Sequence, residues 1–207
     1  MQSNLQNVIV YINGFNLYFG LIEKGWRNYL WLDLIKFLKS LLIANQKLIH
    51  TKYFTSRISK PVSKNRRQSI FIDALSTLSD FSIYYGRYQA QIRTCENCGF
   101  TSFISNEKKT DVNIATEMMV DAFQNKFDSA ILVSADADLT APIKAIRSLF
   151  PDKKVIVAFP PKRDSYELRS VASTHYFIGE HNFRGNLLPD IVRTSSGFEL
   201  KRPEKWK

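Results

Sequence analysis

Acidic and amide side chains follow two of the predicted strands at the point where each strand ends. Asn13 comes directly after one apolar run, and Asp136 and Asp138 come shortly after another. Asp111 lies at the start of a predicted helix. Because ligands of open α/β sheets bind outside the carboxyl ends of the strands, we expect these four side chains to meet at one edge of the sheet.

The orientation of Asp111 follows from helical spacing. At roughly 3.6 residues per turn, Asp111 lies within about 40° of Ala115 and about 20° of Met118, two residues of the apolar stripe of the helix. Its carboxylate therefore points to the rim of the protein interior, where an unpartnered charge costs several kcal/mol. A divalent cation shared with Asp136 and Asp138 would offset that cost.

Oxygen ligands of this kind suit Mg²⁺ or Mn²⁺, which also bind substrate phosphates. Such a cation acidifies water and neutralises charge on a phosphodiester under attack, which is the chemistry of a nuclease. Taken singly, the residues have simpler interpretations: Asp111 as a helix amino-terminal residue, Asp136 and Asp138 as a turn and cap, and Asn13 with Gly14 as a turn. Only their joint placement around one sheet edge is specific.

The elements that must position these residues alternate between strand and helix. Strands are predicted at residues 8–12, 48–55, 81–91, 129–134, 154–159 and 174–178, and helices at 31–42, 70–78, 111–124, 142–149 and 166–171. This alternation predicts an α/β fold with a mostly parallel sheet, in a single domain of residues 1–180. Residues 181–207, polar with a basic end, are expected to form an irregular extension packed on that domain.

The chain is strongly basic, with 29 Lys and Arg against 19 Asp and Glu and a formal net charge of +10. Such an excess attracts polyanions, of which nucleic acid is the commonest, although scattered surface lysines are the simpler interpretation. The candidate RNA-binding residues flank the predicted acidic edge and are Lys108, Lys109, Lys162 and Arg163. Two weaker sets of candidates are explained as well by a solvated helix face and by core packing. They are Lys64, Arg66 and Arg67, and Tyr18, Phe19 and Trp26.

No apolar run approaches the roughly 20 residues that cross a bilayer, so no membrane partner is expected. Residues 1–7 lack the basic and apolar segments of a signal peptide, which makes the cytoplasm the expected compartment. The sequence does not fix the oligomeric state, and a homodimer is compatible with it.

Both cysteines lie in one short stretch, as Cys95 and Cys98. A four-coordinate zinc ion needs two more ligands, and the three histidines are far away in the sequence. Three interpretations stay open: a turn with two reduced thiols, a zinc site completed by the fold or by a second subunit, and a redox pair.

Three stretches resemble motifs of the NYN domain family, whose members are relatives of the PIN nucleases. They are residues 11–18 (YINGFNLY), 109–116 (KTDVNIAT) and 130–138 (AILVSADAD). The tail, with Leu188-Pro189 and the ending 202–206 (RPEKW), is similar to that of bacterial members. The resemblance implies a PIN-like three-layer α/β/α sandwich that binds Mg²⁺ or Mn²⁺ and cleaves RNA, with endonucleolytic cleavage the expected mode.

Carried onto this chain, the resemblance places catalytic, metal-binding aspartates at Asp111, Asp136 and Asp138 and supporting residues at Asn16 and Ser134. One position departs from the family, because Asn13 stands where the first strand usually ends in an aspartate. Asn13 keeps the shape and one oxygen ligand but loses a charge, worth on the order of 4 kcal/mol at about 4 Å before desolvation. Two explanations stay open: a deliberately inactivated nuclease, and a natural member with reduced activity.

The leading hypothesis is therefore a Mg²⁺- or Mn²⁺-dependent ribonuclease that Asn13 impairs. The alternative is an RNA-binding regulatory module whose acidic site is vestigial, and a third hypothesis is a scaffold for partner proteins. The fold alone does not choose among them.

Overall fold

The computed structural model describes residues 5–207, apart from the side chains of residues 88–93 and 102–107. Short apolar runs, which are typical of buried strands, predicted the strands of the central sheet but not the two separate hairpins. The described residues form ten strands. They are β1 (Gln6–Asn13), β2 (Gln46–Thr55), β3 (Phe81–Tyr85), β4 (Arg87–Thr94), β5 (Thr101–Lys108), β6 (Ser129–Val133), β7 (Lys154–Phe159), β8 (Thr174–Phe177), β9 (Ile191–Arg193) and β10 (Glu199–Lys201).

The central sheet has six strands in the order β3-β2-β1-β6-β7-β8, and every neighbouring pair is parallel. From β1 the chain adds β2 and β3 on one side, and later adds β6, β7 and β8 on the other. The strand order therefore reverses between β1 and β6, and a crevice opens beyond the carboxyl ends of these two strands. Such a switch point is where open α/β sheets bind their ligands.

Helices cover both faces of this sheet, as the resemblance implied. The helices are α1 (Gly14–Lys24), α2 (Leu34–Lys39), α3 (Val62–Leu75), α4 (Thr110–Phe123), α5 (Thr140–Leu149), α6 (Tyr166–Val171) and α7 (Glu180–Phe183). Successive residues of β1 alternate between two cores: Val10 packs with α1, α2 and α3, whereas Tyr11 packs with α4, α5 and α6. The fold is thus a three-layer α/β/α sandwich of the PIN-like kind, which confirms the predicted fold class.

The single strand predicted for residues 81–91 is wrong, because the chain breaks at Gly86 into β3 and β4. A Cβ at Gly86 would lie 2.5 Å from the Ser56 Oγ and 2.7 Å from both the Lys108 carbonyl oxygen and the Thr110 Oγ1. No side chain fits in that space, so position 86 requires glycine where the chain leaves the central sheet. Residues 87–108 then form an antiparallel hairpin, β4–β5, which is a sheet of its own.

The helix predicted for residues 31–42 is shorter than the apolar spacing indicated. The Asp33 side chain accepts from the backbone N–H of Lys36 and so caps α2, which begins only at Leu34. Trp31 lies before the cap, where its indole Nε1–H donates to the Pro189 carbonyl at 2.8 Å. A contact between residues so far apart in sequence cannot be inferred from local spacing.

The segment after residue 180, predicted to be irregular, contains α7 and the hairpin β9–β10. Trp206, near its end, is buried against Trp31 and Phe71, with ring centroids 6.4 and 5.8 Å away. This segment therefore completes the core on the α1–α3 side of the sheet. Among the residues described, no helix is long and apolar enough to cross a membrane.

Candidate active site

The buried Asn13 side chain, at the end of β1, hydrogen bonds in two directions. Its Oδ1 accepts from the backbone N–H of Asn16 at 3.1 Å and so caps α1. Its Nδ2 donates to Oδ1 of Asp111 at 3.3 Å. Because the amide oxygen must face the N–H of Asn16, the amide turns its NH₂ group, and not an oxygen ligand, toward Asp111.

The loop after β6 is held by side chains that the sequence placed in supporting positions. Asn16 Oδ1 accepts from the backbone N–H of Ala135 at 3.1 Å, which ties α1 to the end of β6. Ser134 Oγ accepts from the N–H of Asp136 at 3.1 Å, and Asp136 Oδ1 accepts from the N–H of Asp138 at the same distance. These bonds order the loop on which the two aspartates lie.

Three carboxylates share one electrostatic environment at this edge. Burial raises the pKa of Asp111, and the negative charges of Asp136 and Asp138 raise it further, to about 6. None of the three aspartates is in an ion pair with a described Lys, Arg or His side chain. The site therefore concentrates negative charge that no described cationic side chain neutralises.

Within the described part of the chain, no three Asp, Glu, His or Cys side chains are arranged as a group ready to hold a metal ion. The donors at the edge are nonetheless carboxylate oxygens, which suit hard divalent cations. Mg²⁺ in particular is usually held by one or two carboxylates, with water and substrate phosphate as its other ligands. Asp111, Asp136 and Asp138 fit that requirement by their chemistry and shared location.

A polar groove of about 340 Å³ lies beside these residues and includes Asn16, Asp136, Lys162, Arg163 and Asp164 in its lining. Lys162 is exposed, whereas Arg163 forms an ion pair with Glu23 on α1. The sequence analysis missed Asp164, whose Oδ1 lies 3.3 Å from the Nε of Arg169. Its signal was available, since Asp164 follows the carboxyl end of β7 as Asp136 follows β6.

Lys108 and Lys109 lie just before α4, and both side chains are exposed. Lys108 is the last residue of β5, and Lys109 takes a left-handed conformation with φ 78° before the helix begins. This sharp turn places two cations immediately before Thr110, the first residue of the helix that carries Asp111. Lys108 and Lys109 are therefore close to Asp111 along the chain, while Lys162 lines the groove together with Asp136.

A second, mainly apolar cavity of about 600 Å³ lies on the other side of the first turn of α1. Among the residues lining it are Gly14, Phe15, Tyr18, Phe19, Tyr53, Phe71 and Trp206, together with the cations Lys60, Lys64 and Arg67. Of the weaker sequence candidates, four therefore line one cavity. Trp26 instead packs edge-on against Tyr29 and Phe183, which is the core role.

A parallel α/β/α sandwich with carboxylates at its switch point defines a class, that of PIN-like domains with a nuclease-like fold. Within that class, the family model of the NYN domain matches residues 7–179. This chain belongs to the NYN domain family. Members of the family are generally nuclease-like and usually use divalent metals.

Two further proteins are similar to this chain. The 6-hydroxy-3-succinoylpyridine 3-monooxygenase HspA of Pseudomonas putida is 26% identical over 187 residues, which cover 73% of this chain and 58% of the relative. The chain thus spans little more than half the length of this curated relative. A crystal structure of a protein of unknown function from Vibrio parahaemolyticus superposes with a TM-score of 0.55 at 18% identity, covering 91% of this chain and 99% of the other. That likeness supports the fold alone.

Proposed function

We propose that this protein is a Mg²⁺- or Mn²⁺-dependent ribonuclease that cleaves RNA internally, in the cytoplasm. One observation carries the proposal: Asp111, Asp136 and Asp138 concentrate negative charge at the switch point of the sheet, and no described cationic side chain pairs with them. Such an arrangement disfavours the folded state unless a cation binds there. Membership of a nuclease-like family makes phosphodiester hydrolysis the expected use of that cation.

Asp111, Asp136 and Asp138 would hold the cation. When bound, a divalent cation supplies an acidified water and charge neutralisation at the scissile phosphate. Asp136 accepts the N–H of Asp138 with one oxygen, so its other oxygen is the one available to a ligand. Asn16 and Ser134 keep the loop in place through their bonds to backbone N–H groups.

RNA would be held by the cations around the groove. The exposed side chains of Lys108, Lys109 and Lys162 form no ion pair with any described residue, so they are free to contact phosphates. Arg163 is already paired with Glu23 and would have to leave that partner to contact RNA. We therefore assign phosphate contact first to the three lysines.

Asn13 weakens the cation site in two ways. It lacks the negative charge of an aspartate, and its NH₂ group gives Asp111 a hydrogen-bond donor where a cation would otherwise neutralise that carboxylate. An aspartate at position 13 would still accept the N–H of Asn16, so the cap of α1 would survive the substitution.

The test compares RNA cleavage by this chain, Asn13→Asp and the double variant Asn13→Asp/Asp136→Asn in Mn²⁺, in Mg²⁺ and in EDTA. We expect Asn13→Asp to cleave at least tenfold faster than the parent with metal, and Asp136→Asn to remove the gain. If Asn13→Asp binds Mn²⁺ but cleaves no RNA in a panel of single-stranded and structured substrates, the ribonuclease proposal fails. RNA binding that EDTA leaves unchanged would then favour the RNA-binding regulatory module.

A second candidate function rests on the 600 Å³ cavity. Aromatic and aliphatic side chains form most of its wall, and Lys60, Lys64 and Arg67 stand at its rim without a described acidic partner. A planar aromatic molecule with an acidic group matches both features. The relative from Pseudomonas putida is named for such a molecule, a succinoylpyridine.

Tryptophan fluorescence tests this candidate, because Trp206 lines the cavity. Titration with 6-hydroxy-3-succinoylpyridine should quench the emission saturably, and Lys64→Ala/Arg67→Ala should weaken binding about tenfold or more. Trp206→Phe should remove the signal. If neither Lys64→Ala/Arg67→Ala nor Trp206→Phe alters the quenching, the cavity is excluded as the binding site.

A further inference from the structure

The two cysteines lie at the tip of a hairpin that stands apart from the central sheet. Strands β4 and β5 pair with each other from Arg87 with Lys108 at the base to Thr94 with Thr101 at the tip. They have no strand partner in the six-stranded sheet. Cys95 and Cys98 lie in the connecting turn, and both are exposed and free.

The turn has a defined backbone geometry. The N–H of Gly99 donates to the Cys95 carbonyl at 2.9 Å, and the N–H of Cys95 donates to the Phe100 carbonyl at 2.8 Å. Gly99 has φ 66°, a left-handed conformation that favours glycine. The turn closed by these two bonds contains both cysteines, whose side chains are exposed.

Two thiols in one Cys-x-x-Cys turn can supply half of the ligands of a tetrahedral zinc site. Paired thiol ligands of this kind suit zinc among the common divalent cations. The bond from the Gly99 N–H to the Cys95 carbonyl holds both cysteines within one turn. The turn is therefore arranged for a shared ligand and not only for chain reversal.

Among the described residues of one chain, nothing completes such a site. The sequence contains only 2 cysteines and 3 histidines. His50 lies on β2 with its Nε2 2.9 Å from the Ser82 Oγ, and the other two histidines lie on β8 and α7. Over the described residues, no third Asp, Glu, His or Cys joins the cysteine pair in a metal-binding group. A second molecule is the source of ligands that this arrangement favours.

We propose that zinc binds at the hairpin tip and that Cys95 and Cys98 of a second copy of this chain complete a four-thiolate site. With a two-fold axis through the ion, each copy supplies the same two ligands and the assembly is closed as a dimer. Phe100 follows the turn and is 69% exposed, so a tip-to-tip contact would also cover an apolar ring. The inference does not depend on the ribonuclease proposal.

The dimer would have a consequence for the acidic edge. The base of the hairpin continues through Lys108 and Lys109 into α4, which begins with Thr110 and Asp111. Fixing the hairpin at its tip would restrict the two lysines at its base. The zinc site would thus help to order cations beside the carboxylates without touching them.

The experiment uses the full chain, reduced and stripped of metal, and titrates it with zinc in competition with a chromophoric chelator while light scattering reports the mass. We expect one zinc ion per two chains and a monomer that becomes a dimer as zinc is added. With Co²⁺ instead, the thiolate charge-transfer absorption should correspond to four thiolates per ion.

Cys98→Ser should weaken zinc binding more than about a hundredfold, since even loss of an outer-shell partner costs 10–100-fold. Glu96→Gln, in the same turn, should bind zinc and dimerise as the parent does. Circular dichroism should be the same for both variants because the tip is exposed. Zinc bound one to one by a monomer, or a dimer that forms equally well in EDTA, would overturn the proposal.

Discussion

One amide at the end of β1 links the cap of a helix to the charge of the acidic edge. Asn13 accepts from α1 with its oxygen and donates to Asp111 with its nitrogen. An aspartate could keep the first bond but would replace the second with repulsion between carboxylates. The identity of residue 13 therefore decides how much of the Asp111 charge a neighbouring side chain offsets and how much is left for a cation to neutralise.

Asn13→Asp should lower the free energy of unfolding in EDTA by about 2–3 kcal/mol, because it sets a second carboxylate against Asp111. Thermal unfolding should then occur roughly 4–10 °C lower. Added Mn²⁺ or Mg²⁺ should recover most of that loss in the variant and shift the parent much less. Asn13→Ala is the control, since it loses the bonds without adding charge. A metal-induced shift as large in Asn13→Ala as in Asn13→Asp would contradict the explanation.

Asp111→Asn should stabilise the protein at neutral pH. The folded-state pKa of about 6 lies above the ordinary value of 3.8, so the native state binds the proton more tightly than the unfolded chain. Stability contributed by protonated Asp111 is then present below about pH 4 and lost as the pH rises through about 6. The shift corresponds to about 3 kcal/mol at most, and solvent around this half-exposed group reduces it to about 1 kcal/mol.

Urea unfolding of Asp111→Asn and the parent at several pH values measures this effect. The variant should be more stable at pH 8 by about 1 kcal/mol, and the two should converge near pH 4. Equal stability of the two proteins at every pH would mean that the charge of Asp111 is not disfavoured in the fold. The measurement is made in EDTA, so that no cation offsets the repulsion.

At the scale of elements, α4 positions Asp111 and is itself held by a buried charge network. Lys52 on β2 lies 2.5 Å from Asp121 and 2.7 Å from Glu117, and the Tyr11 hydroxyl donates to Asp121 at 2.7 Å. Burial alone would raise the pKa of Asp121, but its bonds with Lys52 and Tyr11 hold that pKa below the ordinary value. These contacts fix the helix against β1 and β2.

Asp121→Ala should lower the free energy of unfolding by about 3–5 kcal/mol, because it leaves the Lys52 ammonium buried with only Glu117 as partner. Lys52→Met should recover part of the loss when combined with it. A double-mutant cycle by urea unfolding measures the coupling, for which we expect at least about 1 kcal/mol. Strict additivity of the two single effects would indicate that the ion pair does not hold α4.

Local pattern predicted the elements that carry the site. The apolar runs of β1 and β6 are buried on both faces, and the stripe of α4 keeps helical spacing, so the ends of these elements could be placed from the sequence. Asn13, Asp111 and Asp136 consequently lie at the expected edge. Their placement needed only periodicity and the rule for switch points.

Other features depend on contacts between distant segments. The predicted helix included Trp31 because its spacing fits the apolar stripe. In the structure, its indole N–H donates to the Pro189 carbonyl and its ring packs against Trp206. Position 86, between β3 and β4, requires glycine because three atoms from elsewhere in the chain leave no room for a Cβ. The direction in which the Asn13 amide faces depends on the N–H of Asn16. No local pattern contains this information.

At the scale of the whole molecule, a chain of net charge +10 gathers carboxylates at one edge of its sheet. Lysines occur near both ends of the parallel strands. Lys108 and Lys109 precede Asp111 at the carboxyl ends, whereas Lys47 and Lys154 lie at the amino ends of β2 and β7. If RNA is attracted only by the net positive charge, the lysines at both ends of the strands should contribute equally. Binding organised around the acidic edge would use only Lys108 and Lys109.

The salt dependence of RNA affinity separates these two modes. Each phosphate contact to a single strand contributes about 0.7 to the slope of log affinity against log salt concentration. Lys108→Ala/Lys109→Ala should therefore reduce the slope by about 1.4, measured by fluorescence anisotropy in EDTA. Lys47→Ala/Lys154→Ala removes the same charge from the opposite edge and should leave the slope within error of the parent. Equal reductions of the slope in the two double variants would mean that RNA is attracted by net charge alone. The carboxyl ends of the strands would then not be the RNA-binding face.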